Sequence, residues 1–120
     1  MFEIKVKDKF DAAHNLVKAG ANKSCENLHG HCYNVVVKFR CYELNEVGMA
    51  IDFTVAKQAL RKVINKLDHM YLNELEPFAN KNTTAECIAR YIYHEIKEDI
   101  QEIYSVSVWE SANSCATYAQ

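Results

Sequence analysis

The 120-residue sequence predicts one α+β domain, in which a four-stranded antiparallel sheet carries two helices on one face. Three observations predict this fold. The first part of the chain has one stretch that alternates apolar and charged residues and another that is rich in β-branched and aromatic residues. Two central stretches repeat apolar residues every three or four positions, and the last part of the chain alternates again. The element order is therefore β-β-α-α-β-β, which is typical of a sheet with both helices on one side.

The first two strands are predicted at residues 2–7 and 32–44. "FEIKVK" alternates apolar and charged residues, and "CYNVVVKFRCYEL" is rich in β-branched and aromatic residues. If the first strand continues to His14, its apolar residues stay in step, except that Asp8 falls on the apolar row and indicates a bulge. The row consists of Ile4, Val6, Phe10, Ala12 and His14.

Two helices and two further strands follow. A stripe predicts the first helix over 53–67, and its members are Phe53, Ala56, Leu60, Val63 and Leu67. Thr83 with Glu86 resembles a capping box that opens the second helix, whose buried stripe is Ala85, Ile88, Ile92 and Ile96. "YSVSVWE" at 104–110 predicts the third strand, and a short "ATYAQ" ends the chain. Four strands leave two open sheet edges, which invite pairing with another copy.

Composition indicates an ordinary globular protein, with 49% hydrophobic and 25% charged residues and a net charge of −2. This charge does not indicate a basic surface that binds DNA or RNA. No apolar run approaches the roughly 20 residues that span a bilayer, and the charged N-terminus is unlike a signal-peptide core. Five cysteines are an odd number for a disulfide framework, so we expect reduced thiols and a cytoplasmic protein.

The stretch "CENLHGHCY" places two histidines two residues apart at the start of the second strand. Side chains two apart on a strand share a face, so His29 and His31 join the apolar row that continues through Tyr33. His14 has the same parity on the first strand and can approach both if the strands pair. Three neutral imidazoles with an open position form the ligand set of a catalytic zinc site. Gly30 between them lets the backbone come close to a ligand or a neighbour.

Cys25 has two possible roles that its spacing does not separate. It can be a fourth metal ligand, or a thiolate beside the metal that acts as a base. The other four cysteines fit better as small buried hydrophobic residues. They are Cys32, Cys41, Cys87 and Cys115.

Carboxylates near the ends of two elements are further candidates. Asp68 beside His69 can orient the imidazole or stabilise its protonated form for acid–base catalysis; a histidine there can equally serve the helix dipole. Glu110 shares the parity of Val106 and Val108 and so ends an apolar row. It either accepts hydrogen bonds from a ligand or turns into water.

Together these segments resemble the 6-pyruvoyltetrahydropterin synthase family over nearly the whole chain. The motifs that carry the resemblance are "FDAAHNL", "CENLHGHCY", "GMAIDF", "LDHMYLNE", "NTTAE" and the late "WE". The short gap between the cysteine and "HGH" is similar to the 6-carboxytetrahydropterin synthase branch, which serves queuosine (7-deazaguanine) synthesis. The chain departs from the family at Thr83, where proline is common.

The resemblance implies a role for each matching residue. His14, His29 and His31 would bind zinc, and Cys25 would be the catalytic thiol. Asp68 and His69 would form a second proton-handling pair. Glu110 would bind the pyrimidine edge of a pterin, and Thr84 would line the same pocket.

The resemblance also implies an assembly and a reaction. The fold would be the tunnelling fold, in which sheets of several subunits join into a barrel, commonly as a hexamer of two trimers with active sites at subunit contacts. The substrate would be 7,8-dihydroneopterin triphosphate. The product would be 6-carboxytetrahydropterin, with release of triphosphate and acetaldehyde. Two alternatives are a synthase that retains the side chain, of the pyruvoyl or a folate-related type, and a zinc-stabilised binding module without turnover.

Overall fold

The computed structural model describes residues 1–17 and 23–120 and has the predicted α+β architecture. The elements are β1 (Phe2–His14), β2 (His29–Cys41), α1 (Phe53–Leu67), α2 (Ala85–Asp99), β3 (Ile103–Ser111) and β4 (Ser114–Ala119). The four strands form one antiparallel sheet in the order β1-β2-β3-β4. The prediction of β-β-α-α-β-β is confirmed.

The core lies between one face of the sheet and the two helices. On β2, alternate residues from Tyr33 to Phe39 are at most 1% exposed, and Val106 and Val108 continue this apolar layer on β3. Burying each such side chain contributes about 1.5–3 kcal/mol to folding. Both helices cover this face, as the sequence predicted.

The first strand is longer than its clearest alternating segment and contains no bulge. β1 pairs with β2 in continuous register from Phe2 opposite Cys41 to His14 opposite His29. Asp8 stays on the helix-facing side because Arg61 of α1 forms an ion pair with it. The bulge expected at Asp8 is therefore wrong. β2 also begins and ends three residues earlier than the predicted 32–44, so both of its histidines lie within the strand.

Helix α1 has the predicted bounds, and Asp52 caps its N-terminus by accepting a hydrogen bond from the Thr54 N–H at 2.8 Å. Four members of the predicted stripe are buried, whereas Phe53 is 57% exposed. Phe53 is the first residue of the helix and lines a groove with Phe2 and Ile4 at the edge of the sheet. Phe53 thus belongs to the predicted helix but not to its buried stripe.

Helix α2 begins one residue later than the predicted capping box requires. The cap is Thr84, whose Oγ1 accepts from the Cys87 N–H at 3.2 Å. Thr83 instead is fully buried and hydrogen-bonded to residues outside the helix. The predicted stripe of α2 is buried throughout.

The prediction that four cysteines are small buried residues is wrong. Cys32 and Cys115 are exposed, and Cys41 and Cys87 are half-buried. Cys32 lies one position out of step with His31 and Tyr33, so its side chain points to the uncovered face of the sheet. Among the described residues, no helix is long and apolar enough to cross a membrane.

Candidate active site

The three histidines of the sequence motifs converge at one end of the sheet. His14 and His29 are directly opposite each other on β1 and β2, and His31 follows on the same face. Their ring centroids are 4.5–5.1 Å apart, and the nitrogens that could bind a metal all lie within 4.8 Å of one another. Continuous strand pairing therefore brings together three imidazoles that are up to 17 positions apart in the sequence.

His14 is the most deeply buried of the three, with 1% exposure. Its Nδ1 lies 2.7 Å from the carbonyl oxygen of Thr83, and burial lowers its pKa, which favours the neutral ring. Its Nε2 is buried and has no hydrogen-bond partner among the described residues. A buried nitrogen without a partner is costly unless it binds a ligand.

A backbone carbonyl oxygen also orients the ring of His29. Its Nδ1 lies 2.6 Å from the carbonyl oxygen of Asn27, which leaves Nε2 available for a ligand. The donor set fits a divalent metal ion that prefers imidazole nitrogen. Cys25 lies on a short 3₁₀ turn and does not join this cluster in the described part of the chain. A fourth position thus stays available to another ligand.

Asp68 and His69 lie just after α1 and form a second cluster with Asp11. The Asp68 carboxylate accepts from the Asp11 N–H at 3.0 Å and lies 3.1 Å from His69 Nδ1. The Asp11 N–H holds the pKa of the Asp68 carboxyl below its usual range. The side-chain ligand atoms of all three residues lie within 4.8 Å of one another.

The backbone at His69 has a left-handed conformation, with φ of 60°. This region costs a non-glycine residue roughly 1–2 kcal/mol. Hydrogen bonds on either side stabilise it, from the His69 N–H to the Asp11 carbonyl at 2.6 Å and from the Ala13 N–H to the Met70 carbonyl at 3.0 Å. The exposed imidazole is thereby held beside the edge of β1.

A groove of about 530 Å³ connects this segment with the histidine cluster, because both His31 and His69 line it. Gly30 lies in the same wall. A Cβ added at Gly30 would lie 3.6 Å from the Ala12 carbonyl oxygen, an ordinary contact. The neighbouring strand therefore does not approach closely enough to require glycine here, and the alternative that Gly30 leaves room for a ligand stays a prediction.

Glu110 and Thr84 line a second groove, of about 300 Å³, beside β4. Glu110 is half-buried, and its carboxylate has no hydrogen-bond donor within the described ranges 1–17 and 23–120. It lies close enough to His14 and Tyr33 to act on both electrostatically. Glu110 thus lies within β3 and lines a groove, and its role as an acceptor for a ligand stays a prediction.

Sequence reasoning gave no role to Asp11 or Asn73, and it assigned the hydroxyl of Thr83 to a helix cap rather than to the site. Asn73 accepts from the Asn15 N–H at 3.0 Å and from Thr83 Oγ1 at 3.1 Å. Periodicity does not reveal such contacts, because the partners are 10–58 positions apart. The asparagine within "LDHMYLNE" was the one signal available.

Known proteins resemble the chain in both sequence and fold. The sequence model of the family described as 6-pyruvoyl tetrahydropterin synthase matches residues 3–120. Relatives named 6-carboxy-5,6,7,8-tetrahydropterin synthase include one from Haemophilus influenzae, 35% identical over the full length of both chains. Another, from Synechocystis, is 35% identical over 91% of this chain and 86% of its own.

A solved structure gives the same result for the fold. The 6-pyruvoyl tetrahydropterin synthase of Caenorhabditis elegans superposes with a TM-score of 0.88 at 26% identity, covering 99% of this chain and 95% of the other. The matches in sequence and in fold both extend over nearly the whole chain. The protein therefore belongs to the 6-pyruvoyl tetrahydropterin synthase family.

Proposed function

We propose that the protein converts 7,8-dihydroneopterin triphosphate to 6-carboxy-5,6,7,8-tetrahydropterin in a zinc-dependent reaction that releases triphosphate and acetaldehyde. The observation that carries this proposal is the cluster of three imidazoles, of which His31 borders the groove that also contains His69. The buried Nε2 of His14 in this cluster has no hydrogen-bond partner among the described residues. The two bacterial relatives named for this product favour the carboxy branch. The product would supply queuosine synthesis in the cytoplasm.

His14, His29 and His31 would hold the zinc ion through three neutral nitrogens. Bound zinc supplies Lewis-acid chemistry, which lowers the pKa of hydroxyl groups that it contacts. Two of the three imidazoles are oriented by backbone carbonyl oxygens, at 2.7 Å for His14 and 2.6 Å for His29. Such partners preserve the ring orientation that metal binding requires.

Glu110 and Thr84 would bind the pterin ring in the groove beside β4. A carboxylate without an internal donor can accept hydrogen bonds from the adjacent N–H groups of a pyrimidine edge. The Thr84 hydroxyl already accepts from the helix, so its proton is available to an acceptor on the ring. The electrostatic proximity of Glu110 to His14 would place the ring next to the metal ligands.

Proton transfer would use Cys25 and the Asp68–His69 pair. His69 lines the groove that also contains His31, so its imidazole borders the space next to the metal ligands. Asp68 would keep the ring oriented and stabilise its protonated form. Cys25, as a thiolate, would act as the second base.

Assembly through the sheet edges would complete the site. β1 and β4 are the outer strands of the sheet, and three residues of β4 line the Glu110 groove. A second copy that pairs with β4 would therefore border the pterin pocket. We propose a homo-hexamer of two trimers, with sheets joined into a barrel and active sites at subunit contacts.

The decisive experiment is mass spectrometry of the products after zinc-loaded protein is incubated with 7,8-dihydroneopterin triphosphate. Carboxytetrahydropterin together with acetaldehyde is the expected result. A pterin that keeps all three side-chain carbons would assign the protein to the pyruvoyl branch, to which the Caenorhabditis elegans structure belongs by its name. Zinc binding without turnover would refute the proposed enzymatic activity and favour the zinc-stabilised binding module.

A further inference from the structure

A chain of hydrogen bonds begins at the backbone of Asn15, next to the candidate metal ligand His14. The side chain of Asn73 bonds to both backbone groups of Asn15: its Oδ1 accepts from the N–H at 3.0 Å, and its Nδ2 donates to the carbonyl at 2.8 Å. A backbone N–H can only donate and a carbonyl oxygen can only accept. The orientation of the Asn73 amide is therefore fixed.

The next link is the hydroxyl of Thr83, which lies 3.1 Å from Asn73 Oδ1. Because that oxygen can only accept, the hydroxyl must donate its single proton to it. Towards His14 Nδ1, at 3.3 Å, the hydroxyl can then offer only a lone pair. The Thr83 carbonyl oxygen, at 2.7 Å from the same nitrogen, is also an acceptor.

Both oxygens of Thr83 thus require a proton on Nδ1 of His14, so the lone pair of the neutral ring lies on Nε2. This nitrogen is the buried one without a partner in the described structure. We infer that Asn73 and Thr83 are positioning residues that fix the tautomer and ring orientation of His14 for metal binding. The inference rests on the proposed metal site. Thr83 is 0% exposed, so water has no access to replace its hydroxyl.

The first test measures the zinc dissociation constant of the full chain by competition with a chromogenic chelator. Thr83→Val keeps the shape and the carbonyl group but removes the hydroxyl, and Thr83→Ser keeps the hydroxyl. Loss of such an outer partner weakens metal binding roughly 10- to 100-fold. We expect Thr83→Val near the lower end of this range, Asn73→Ala near the upper end, and Thr83→Ser close to the wild type.

Asn82 offers a matched control for Asn73. Its side chain also bonds to both backbone groups of one residue, Val17, at 2.8 and 2.9 Å, but these bonds reach neither Thr83 nor His14. Asn82→Ala should therefore lose a comparable pair of hydrogen bonds and keep the zinc affinity of the wild type. If Asn73→Ala does not fold, the comparison of Thr83→Val with Thr83→Ser still tests the inference.

A second readout is independent of zinc. Long-range ¹H–¹⁵N correlation spectra of the metal-free protein should show His14 protonated at Nδ1 in the wild type, and a detectable Nε2-protonated population in Asn73→Ala. The inference is refuted if wild-type His14 carries its proton on Nε2, or if Thr83→Val and Asn73→Ala bind zinc as tightly as Asn82→Ala. Wild-type protein that binds no zinc, whatever its tautomer, would instead refute the proposed metal site and this inference with it.

Discussion

Replacing Tyr33 with phenylalanine should stabilise the metal-free protein, although it removes a polar group from the core. Tyr33 is 0% exposed, and its hydroxyl is the second buried polar atom without a partner among the described residues. Burial raises the pKa of this hydroxyl, as expected for a group that cannot be solvated. A buried donor in this state is a direct cost to folding.

The size of the effect follows from the contacts that remain. An unsatisfied buried hydroxyl costs about 1–3 kcal/mol, and Tyr33→Phe removes that cost. The ring keeps its stacking on Phe10, with centroids 4.8 Å apart and planes at 15°, so the substitution leaves almost no cavity. For a domain of this size, each kcal/mol raises the melting temperature by about 4 °C. We expect a rise of about 4–12 °C.

The assay is thermal and urea unfolding of chelator-treated protein at one fixed concentration. Tyr91→Phe is the matched control, because the Tyr91 hydroxyl donates to Glu95 at 3.2 Å. This control should destabilise the protein, opposite in sign to Tyr33→Phe, because it loses a hydrogen bond to a charged group. A melting temperature that stays constant or falls in Tyr33→Phe would mean that the hydroxyl has a partner, and the reasoning would be wrong.

Three further predictions concern the proposed chemistry. Cys25→Ala should keep the zinc affinity of the wild type and lose turnover, as measured by chelator competition and product analysis; loss of zinc would instead make Cys25 a ligand. Glu110→Gln should weaken pterin binding roughly 10- to 100-fold in a titration, since a hydrogen bond to a charged group is worth about 1.5–3 kcal/mol, whereas the remote Glu98→Gln should not. Asp68 has a lowered folded-state pKa, so its contribution to stability is complete above its ordinary value of 3.8 and disappears as the pH falls through the folded-state value. The difference in unfolding free energy between wild type and Asp68→Asn should therefore decrease as the pH is lowered and disappear in acid. A difference that persists at the lowest pH would contradict this prediction.

Much of the fold could be predicted because its causes are local. Alternation and three- to four-residue spacing follow directly from which face is buried, and they placed α1 at its observed bounds. Parity along the strands placed His14, His29 and His31 on one face before any pairing was known. An error arose at Asp8, where a local pattern indicated a bulge but an ion pair to Arg61 of α1, 53 positions away, allows a charged residue on the apolar row without one.

The support of the site could not be predicted in the same way. Thr83 fits a capping box in the sequence, yet Thr84 caps the helix and Thr83 contacts His14, 69 positions away. Nothing in a local pattern distinguishes two adjacent threonines whose roles depend on distant partners. Asn73 is similar, because its hydrogen bonds join segments that meet only after the sheet has formed.

The end of β1 explains why the metal ligands and the proton-handling pair lie together. On this outer strand, the backbone groups of alternate residues point away from β2. Asp11, Ala13 and Asn15 accordingly use theirs to bond the segment 68–73, which carries the Asp68–His69 pair. The side chains of the two residues between them, Ala12 and His14, face the helices. A shift of this strand by one residue would exchange the residues that bond the 68–73 segment with those that face the helices. The same shift would therefore detach that segment and remove His14 from the histidine cluster.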